Sequence, residues 1–201
     1  MKNVMQALSR THHNVTAKFA PLGEGRGKFH NINACLEGVD MGGYDWLIVV
    51  DDDIAFADGF LDNFIYLAES ANLQICQPAH KFRSYQSFEL TLRQWGSLVR
   101  VTHFVECGPF TAFHKQIFPH VLPFPNLRWA WGTDIAWSEI ARNKGFKIGI
   151  VDATPIRHLR PVAVSYEGRT ATDEARAFLQ QACVTQNRYE ILQTVKVISN
   201  I

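Results

Sequence analysis

The chain has 201 residues and a formal net charge of +1, so charge gives no long-range case for a nucleic acid or an anionic membrane as partner. Hydrophobic residues make up 47% and charged ones 19%, which excludes a disordered chain and supplies enough apolar material for one core. No apolar run approaches the ~18 residues of a transmembrane helix, the first residues lack a signal-peptide core, and Cys35, Cys76, Cys107 and Cys183 are too scattered for a zinc site, so a cytoplasmic protein with reduced thiols is expected.

Residues 1–10 fit a short helix with Val4, Met5 and Leu8 on one side, and 14–20 alternate like a strand. Residues 21–28 form a glycine-rich loop carrying Arg26 and Lys28. It runs into a helical pattern of Phe29, Ile32, Leu36 and Val39. Glycines and cations ahead of a helix N-terminus suit a diphosphate. The loop is neither a Walker loop nor the dinucleotide fingerprint, and taken alone it also reads as a flexible basic loop.

Leu47 to Val50 is an unbroken apolar run rich in β-branched residues, the pattern of a strand buried on both faces. It stops at Asp51, Asp52 and Asp53. Three adjacent carboxylates repel one another, and a hard cation, Mn2+ or Mg2+, offsets that repulsion. Side chains alternate in an extended segment, so Asp51 and Asp53 can share a side that Asp52 leaves. An acidic turn is the competing reading.

The spacing next predicts a helix from Asp58, as N-cap, through Leu67, and a strand over 73–77 closed by Pro78. Residues 79–100 are mixed, with 87–100 helical or irregular. A strand over 101–107 breaks at Gly108-Pro109, and 110–113 pair beside it. A short helix over 115–121 and a proline-marked loop lead to Arg128-Trp129-Ala130-Trp131-Gly132-Thr133-Asp134. A helix over 134–144 with Gly145 as C-cap and a strand over 146–151 ended by Asp152 follow. After Pro155-Ile156-Arg157-His158-Leu159-Arg160 come a polar linker over 166–171 and helical patterns over 172–181 and 190–198. The alternation predicts an α/β fold, an open, mainly parallel sheet with helices on both faces. Residues 1–165 are expected to form one catalytic domain and 166–201 a helical tail.

This order of features resembles the GT-A fold (Rossmann-like) of nucleotide-sugar-dependent glycosyltransferases, especially the family 2-like members, over roughly residues 14–160. Residues 25–36 are similar to the Gly-Lys-x-x-x-x-Asn-x-Ala segment ahead of the family's metal-binding strand. Asp51-Asp52-Asp53 matches its Asp-x-Asp motif, and Trp131-Gly132-Thr133-Asp134 resembles the motif that carries the base of inverting members. His158 matches a late histidine that often completes the metal shell. The chain departs from the family in lacking the first strand: either it is a piece of a larger parent chain or the base site is built differently. The Gln-x-x-Arg-Trp motif of processive synthases is absent, and Thr133 stands where some members have Glu.

The resemblance implies a metal-dependent transferase that moves a sugar from a nucleoside diphosphate sugar, with UDP-sugars favoured, to a glycan or other hydroxyl acceptor, with inversion. It assigns Asp53, Asp51 and His158 to a Mn2+ or Mg2+ ion, with Asp51 also near the donor ribose and Asp52 behind them. Asp134 is the candidate base, although Asp at a helix start is also a routine first-turn residue. Glu106, at its strand's end, is the reserve base and an acceptor contact. Lys28, Arg26, Arg157 and Arg160 are candidates for the diphosphate, and Trp129 and Trp131 for stacking on an acceptor sugar; solvated basic loops and core packing account for the same residues. A nucleotidyltransferase of similar fold and a non-catalytic sugar-nucleotide binding module are the rival functions.

Overall fold

The apolar run ahead of the three aspartates forms a strand, β1 (Trp46–Val50). The computed structural model describes residues 2–20, 27–161, 168–182, 184 and 188–201. In chain order these form α1 (Lys2–Ser9), α2 (Lys28–Leu36), β1, β2 (Ile54–Ala55), α3 (Phe60–Ser70), β3 (Ile75–His80), β4 (Val99–Thr102), β5 (Phe110–His114), α4 (Phe118–Val121), α5 (Thr133–Lys144), β6 (Ile148–His158), α6 (Gly168–Gln181), α7 (Arg188–Ile191) and β7 (Thr194–Ile198).

The sheet runs β1-β5-β3-β6-β4-β7, and the short β2 pairs with the far end of β6. Strands β1, β3, β6 and β7 point one way, while β5 and β4 are inserted antiparallel between them. The expected α/β class with helices on both faces therefore holds, in a mixed sheet whose parallel neighbours are β3 and β6. Alternation along the strands splits the core in two. Ile48, Val50, Cys76, Phe110 and Ala112 pack toward α1 and α3. Val49, Ile75, Phe113 and Ile148 pack toward α2, α4 and α5, where Phe29, Phe113, Phe124 and Trp137 form one aromatic cluster.

Four local readings are corrected. Residues 14–20 alternate but form no strand. The tail over 190–198 is not one helix: Thr194-Val195-Lys196-Val197-Ile198 alternates as a strand and pairs with β4, so the tail enters the same sheet. The helix after the aspartates is capped by Gly59 at φ 66, and Asp58 faces Arg10 instead, at 3.5 Å. The strand placed at 146–151 continues through Asp152 and Pro155 to His158. Asp152 is tolerated there because a guanidinium neutralises it: Arg100 Nε donates to one carboxylate oxygen at 2.8 Å and Nη2 to the other at 3.0 Å. The same arginine donates to the carbonyls of Leu90 and Leu92, and Gln94 N–H donates to Asp152. Both side chains are buried, and together they pin the irregular segment 81–98 to the sheet.

Candidate active site

Asp53 and His158, far apart in sequence, are brought together by strand register. After the acidic turn, Ile54 and Ala55 pair antiparallel with His158 and Arg157, and Leu159 N–H donates to the Asp53 carbonyl at 2.9 Å. This places His158 Nε2 3.3 Å from Asp53 Oδ2, both side chains largely buried. The imidazole is fixed from behind: Nδ1 lies 3.2 Å from the Tyr85 carbonyl, which can only accept, so Nδ1 carries the hydrogen. Nε2 then turns a lone pair toward a carboxylate, an arrangement that repels unless a proton or a cation lies between them. Backbone-oriented imidazole nitrogen plus carboxylate oxygen is a donor set that suits Mn2+. Among the described residues no group of three or more His, Cys, Asp or Glu side chains converges to hold a metal ion, so the expected three-donor set of Asp51, Asp53 and His158 is not assembled.

Asp51 leaves the same turn in another direction, to Lys28 at the start of α2, with Nζ–Oδ1 2.8 Å. Burial alone would lower the Lys28 pKa; the charge of Asp51, aided by Cys107 and Glu106, outweighs it and holds the ammonium above its ordinary value. Gly108 makes room for this pair, and Gly27 lets the start of α2 approach the neighbouring loop. A Cβ on Gly108 would sit 3.1 Å from Lys28 Nζ, and one on Gly27 would fall 2.2 Å from the Leu127 carbonyl oxygen. The N-terminus of α2 is thus pressed against the backbone of the tryptophan loop. Arg26 and the rest of residues 21–26 lie outside the described residues.

A cleft of about 460 Å³ opens beside this pair, lined among others by Lys28, Asp51, Glu106, Trp129, Trp131, Asp134 and His158. Asp134 stands in the first turn of α5, after Gly132 at φ 88, and is 7% exposed. Its carboxylate accepts from Ile135 N–H at 2.9 Å, so the first-turn role and a place in the cleft hold together. Trp129 stacks under the Arg128 guanidinium, 4.8 Å from ring to carbon.

Glu106 is 6% exposed. Burial raises its pKa to about 7; hydrogen bonds from Ser87 oppose the rise and the nearby Asp134 charge adds to it. His80 lies 3.8 Å from it, but burial and the neighbouring His158 depress the His80 pKa to about 4, so the contact is no ion pair at neutral pH. His80 Nδ1 and Ser84 Oγ are 3.0 Å apart, and Ser84 Oγ accepts from the backbone N–H of His158 at 2.8 Å, which ties His80 to the end of β6. The raised carboxyl binds its proton more tightly folded than unfolded. Its contribution therefore falls as pH climbs from about 4.5 to about 7 and stays lost above. Glu106→Gln should unfold at higher urea than the wild type at pH 8, by roughly 2–3 kcal/mol, with no difference near pH 4; equal stabilities at pH 8 would show that Glu106 is not held against ionisation.

Among the residues singled out by sequence, Lys28, Asp51, Glu106, Trp129, Trp131, Asp134 and His158 line one cleft, with Asp53 against His158. Asp52 is exposed. Arg160 reaches Asp53 at 3.9 Å from an exposed position. Arg157 alternates away from His158 and is exposed outside the cleft lining. Sequence reading assigned no role to His80 or Ser84, and it expected a helix over 172–181, which α6 bears out, but gave that helix no place at the site. Glu174 of α6 accepts the Arg128 and Trp129 N–H groups at 2.8 and 2.9 Å, while Thr172, Ala175 and Leu179 complete the cleft wall. The amphipathic pattern of 172–181 was the available signal.

No protein-family model matches the chain, and no curated protein matches it in sequence. Among solved structures, the crystal structure of GalNAc-T7 with UDP, GalNAc and Mn2+ matches with a TM-score of 0.54 and 9% identity, over 79% of this chain. The chain spans 37% of the length of that one. At such identity the likeness speaks for the fold and not for an activity. What the chain shares with GalNAc-T7 is an open α/β architecture.

Proposed function

We propose that the chain is a metal-dependent glycosyltransferase that moves a sugar from a nucleoside diphosphate sugar, UDP-sugars favoured, to a hydroxyl acceptor with inversion. The observation that carries the reading is the Asp53–His158 pair, whose histidine is held by the Tyr85 carbonyl with its Nε2 facing the carboxylate, at the edge of a cleft that also holds Lys28 and Asp134. Mn2+ or Mg2+ held by Asp53 and His158 would neutralise charge on the leaving diphosphate. Lys28, its ammonium held charged by Asp51, and the exposed Arg160 would bind that diphosphate. Asp51 is a further candidate for the metal or the donor ribose once Lys28 turns to phosphate. Trp129 and Trp131 offer aromatic faces to an acceptor sugar.

The acceptor hydroxyl gives its proton to the Asp134 carboxylate as its oxygen forms a bond to the anomeric carbon. The bond from that carbon to the diphosphate breaks, and its electron pair leaves with the diphosphate. Glu106 beside Asp134, whose pKa burial raises well above the ordinary carboxyl value, adds less competing negative charge than an exposed glutamate would. GalNAc-T7 carries UDP, GalNAc and Mn2+ on a similar fold, which supports the donor class proposed. The test is a panel of UDP-sugars with Mn2+ and simple glycoside acceptors, reading UDP release. Expected is Mn2+-dependent release from at least one donor, raised by acceptor. Pyrophosphate release from nucleoside triphosphates in its place would make the chain a nucleotidyltransferase, and binding without turnover would leave a sugar-nucleotide binding module.

A further inference from the structure

Strand β1 ends the sheet, and among the described residues it pairs with β5 alone. The bonds that flank this antiparallel pair fix its parity. Lys115 N–H donates to the Asp45 carbonyl and Asp51 N–H to the Pro109 carbonyl. Odd-numbered residues of β1 thus turn their backbone toward β5, and Trp46, Ile48 and Val50 turn their N–H and C=O groups outward. They face a groove of about 1180 Å³ lined by β1, by Leu8 of α1, Ile32 and Leu36 of α2, Leu61 and Ile65 of α3, and by residues 14–20. Residues 14–20 are exposed throughout and make no backbone–backbone hydrogen bond among the described residues.

The two edges of the sheet differ in a telling way. The β7 edge is exposed and carries Lys196, a charge that discourages pairing with another chain. The β1 edge reads Trp-Leu-Ile-Val-Val, with no charge, proline or bulge to protect it. We propose that this edge docks one extended strand of a partner polypeptide. The strand pairs with Trp46, Ile48 and Val50 and lays alternate apolar side chains against α1, α2 and α3. The backbone groups select the occupant: only another strand presents a donor and an acceptor at every second residue, and an apolar small molecule would bury these groups unpaired at about 1–3 kcal/mol each. Five residues of β1 accept a strand of about 17 Å. Exposed Asp52 at one end of the groove favours a basic residue at that end of the partner. The groove runs on to Lys28, Asp51 and Asp53 of the candidate active site, but the test reads strand pairing and needs no sugar transfer.

Amide hydrogen exchange on the whole protein is the first readout. In the free protein the Ile48 and Val50 amides should exchange at nearly unprotected rates, while Leu47 and Val49, bonded to β5, are protected. The probe is a blocked peptide of alternating valine and threonine with one terminal arginine. It should slow exchange at Ile48 and Val50 by about tenfold or more. N-methylating the peptide's amides along one edge should abolish this, and along the other edge should not. Protection of Ile48 and Val50 in the free protein, at low or high concentration, would mean that the chain or its own copy already covers the edge and would overturn the proposal. So would equal effects of the two methylated peptides, or no slowing at millimolar peptide.

Discussion

Asp134→Asn should bind a UDP-sugar and Mn2+ as the wild type does and transfer sugar roughly 10²–10⁴-fold more slowly. Asparagine keeps the size of the side chain and can still accept from Ile135 N–H, so α5 keeps its start. What is lost is a group able to take the acceptor's proton. Calorimetry of donor binding and a UDP-release assay separate the two effects. Full activity in Asp134→Asn, with Glu106→Gln inactive, would move the base to Glu106, the neighbouring carboxyl already poised near neutrality. Lost donor binding in Asp134→Asn would make Asp134 a structural residue of the first turn.

The second large effect falls away from the chemistry. Asp152→Ala should cost about 3–5 kcal/mol in urea unfolding, because it strands the Arg100 guanidinium in the interior. Arg100 is 4% exposed and Asp152 fully buried. The loss should also loosen the segment 81–98, which Arg100 and Asp152 tie to the sheet through Leu90, Leu92 and Gln94. That segment supplies the Tyr85 carbonyl that orients His158. Mn2+ binding in Asp152→Ala should therefore weaken although Asp152 is no ligand. The double variant Arg100→Met with Asp152→Leu removes both charges and should recover most of the stability. A loss under about 1 kcal/mol in Asp152→Ala would mean that the pair does not hold the segment.

What could be read from the sequence was local. The run Leu47–Val50 and the three aspartates announce a strand meeting a polar mouth because burial and repulsion act on neighbouring residues. Gly145 closes α5 in the left-handed conformation for an equally local reason. The Asp53–His158 meeting came from the resemblance and not from spacing, since it depends on the antiparallel register of β2 on β6, which no short window contains. Asp152 and Pro155 look like strand breakers until Arg100 neutralises the first and a register irregularity near Pro78 and His80 relaxes pairing around the second. The place of α6 over the tryptophan loop was hidden similarly: Glu174 reads as a surface charge until its two acceptor bonds to Arg128 and Trp129 are seen. Residues 14–20 show the opposite failure, a strand pattern whose backbone partner is missing among the described residues.

Asp53 and His158 are proposed to share one cation. The most direct measurement is the electron spin-echo spectrum of Mn2+ bound together with UDP, which detects a directly coordinated imidazole nitrogen. The wild type should show nitrogen coupling, lost in His158→Ala, and Mn2+ affinity should fall at least about tenfold in Asp53→Ala. A wild-type spectrum without nitrogen coupling, together with Mn2+ affinity untouched by Asp53→Ala, would contradict it.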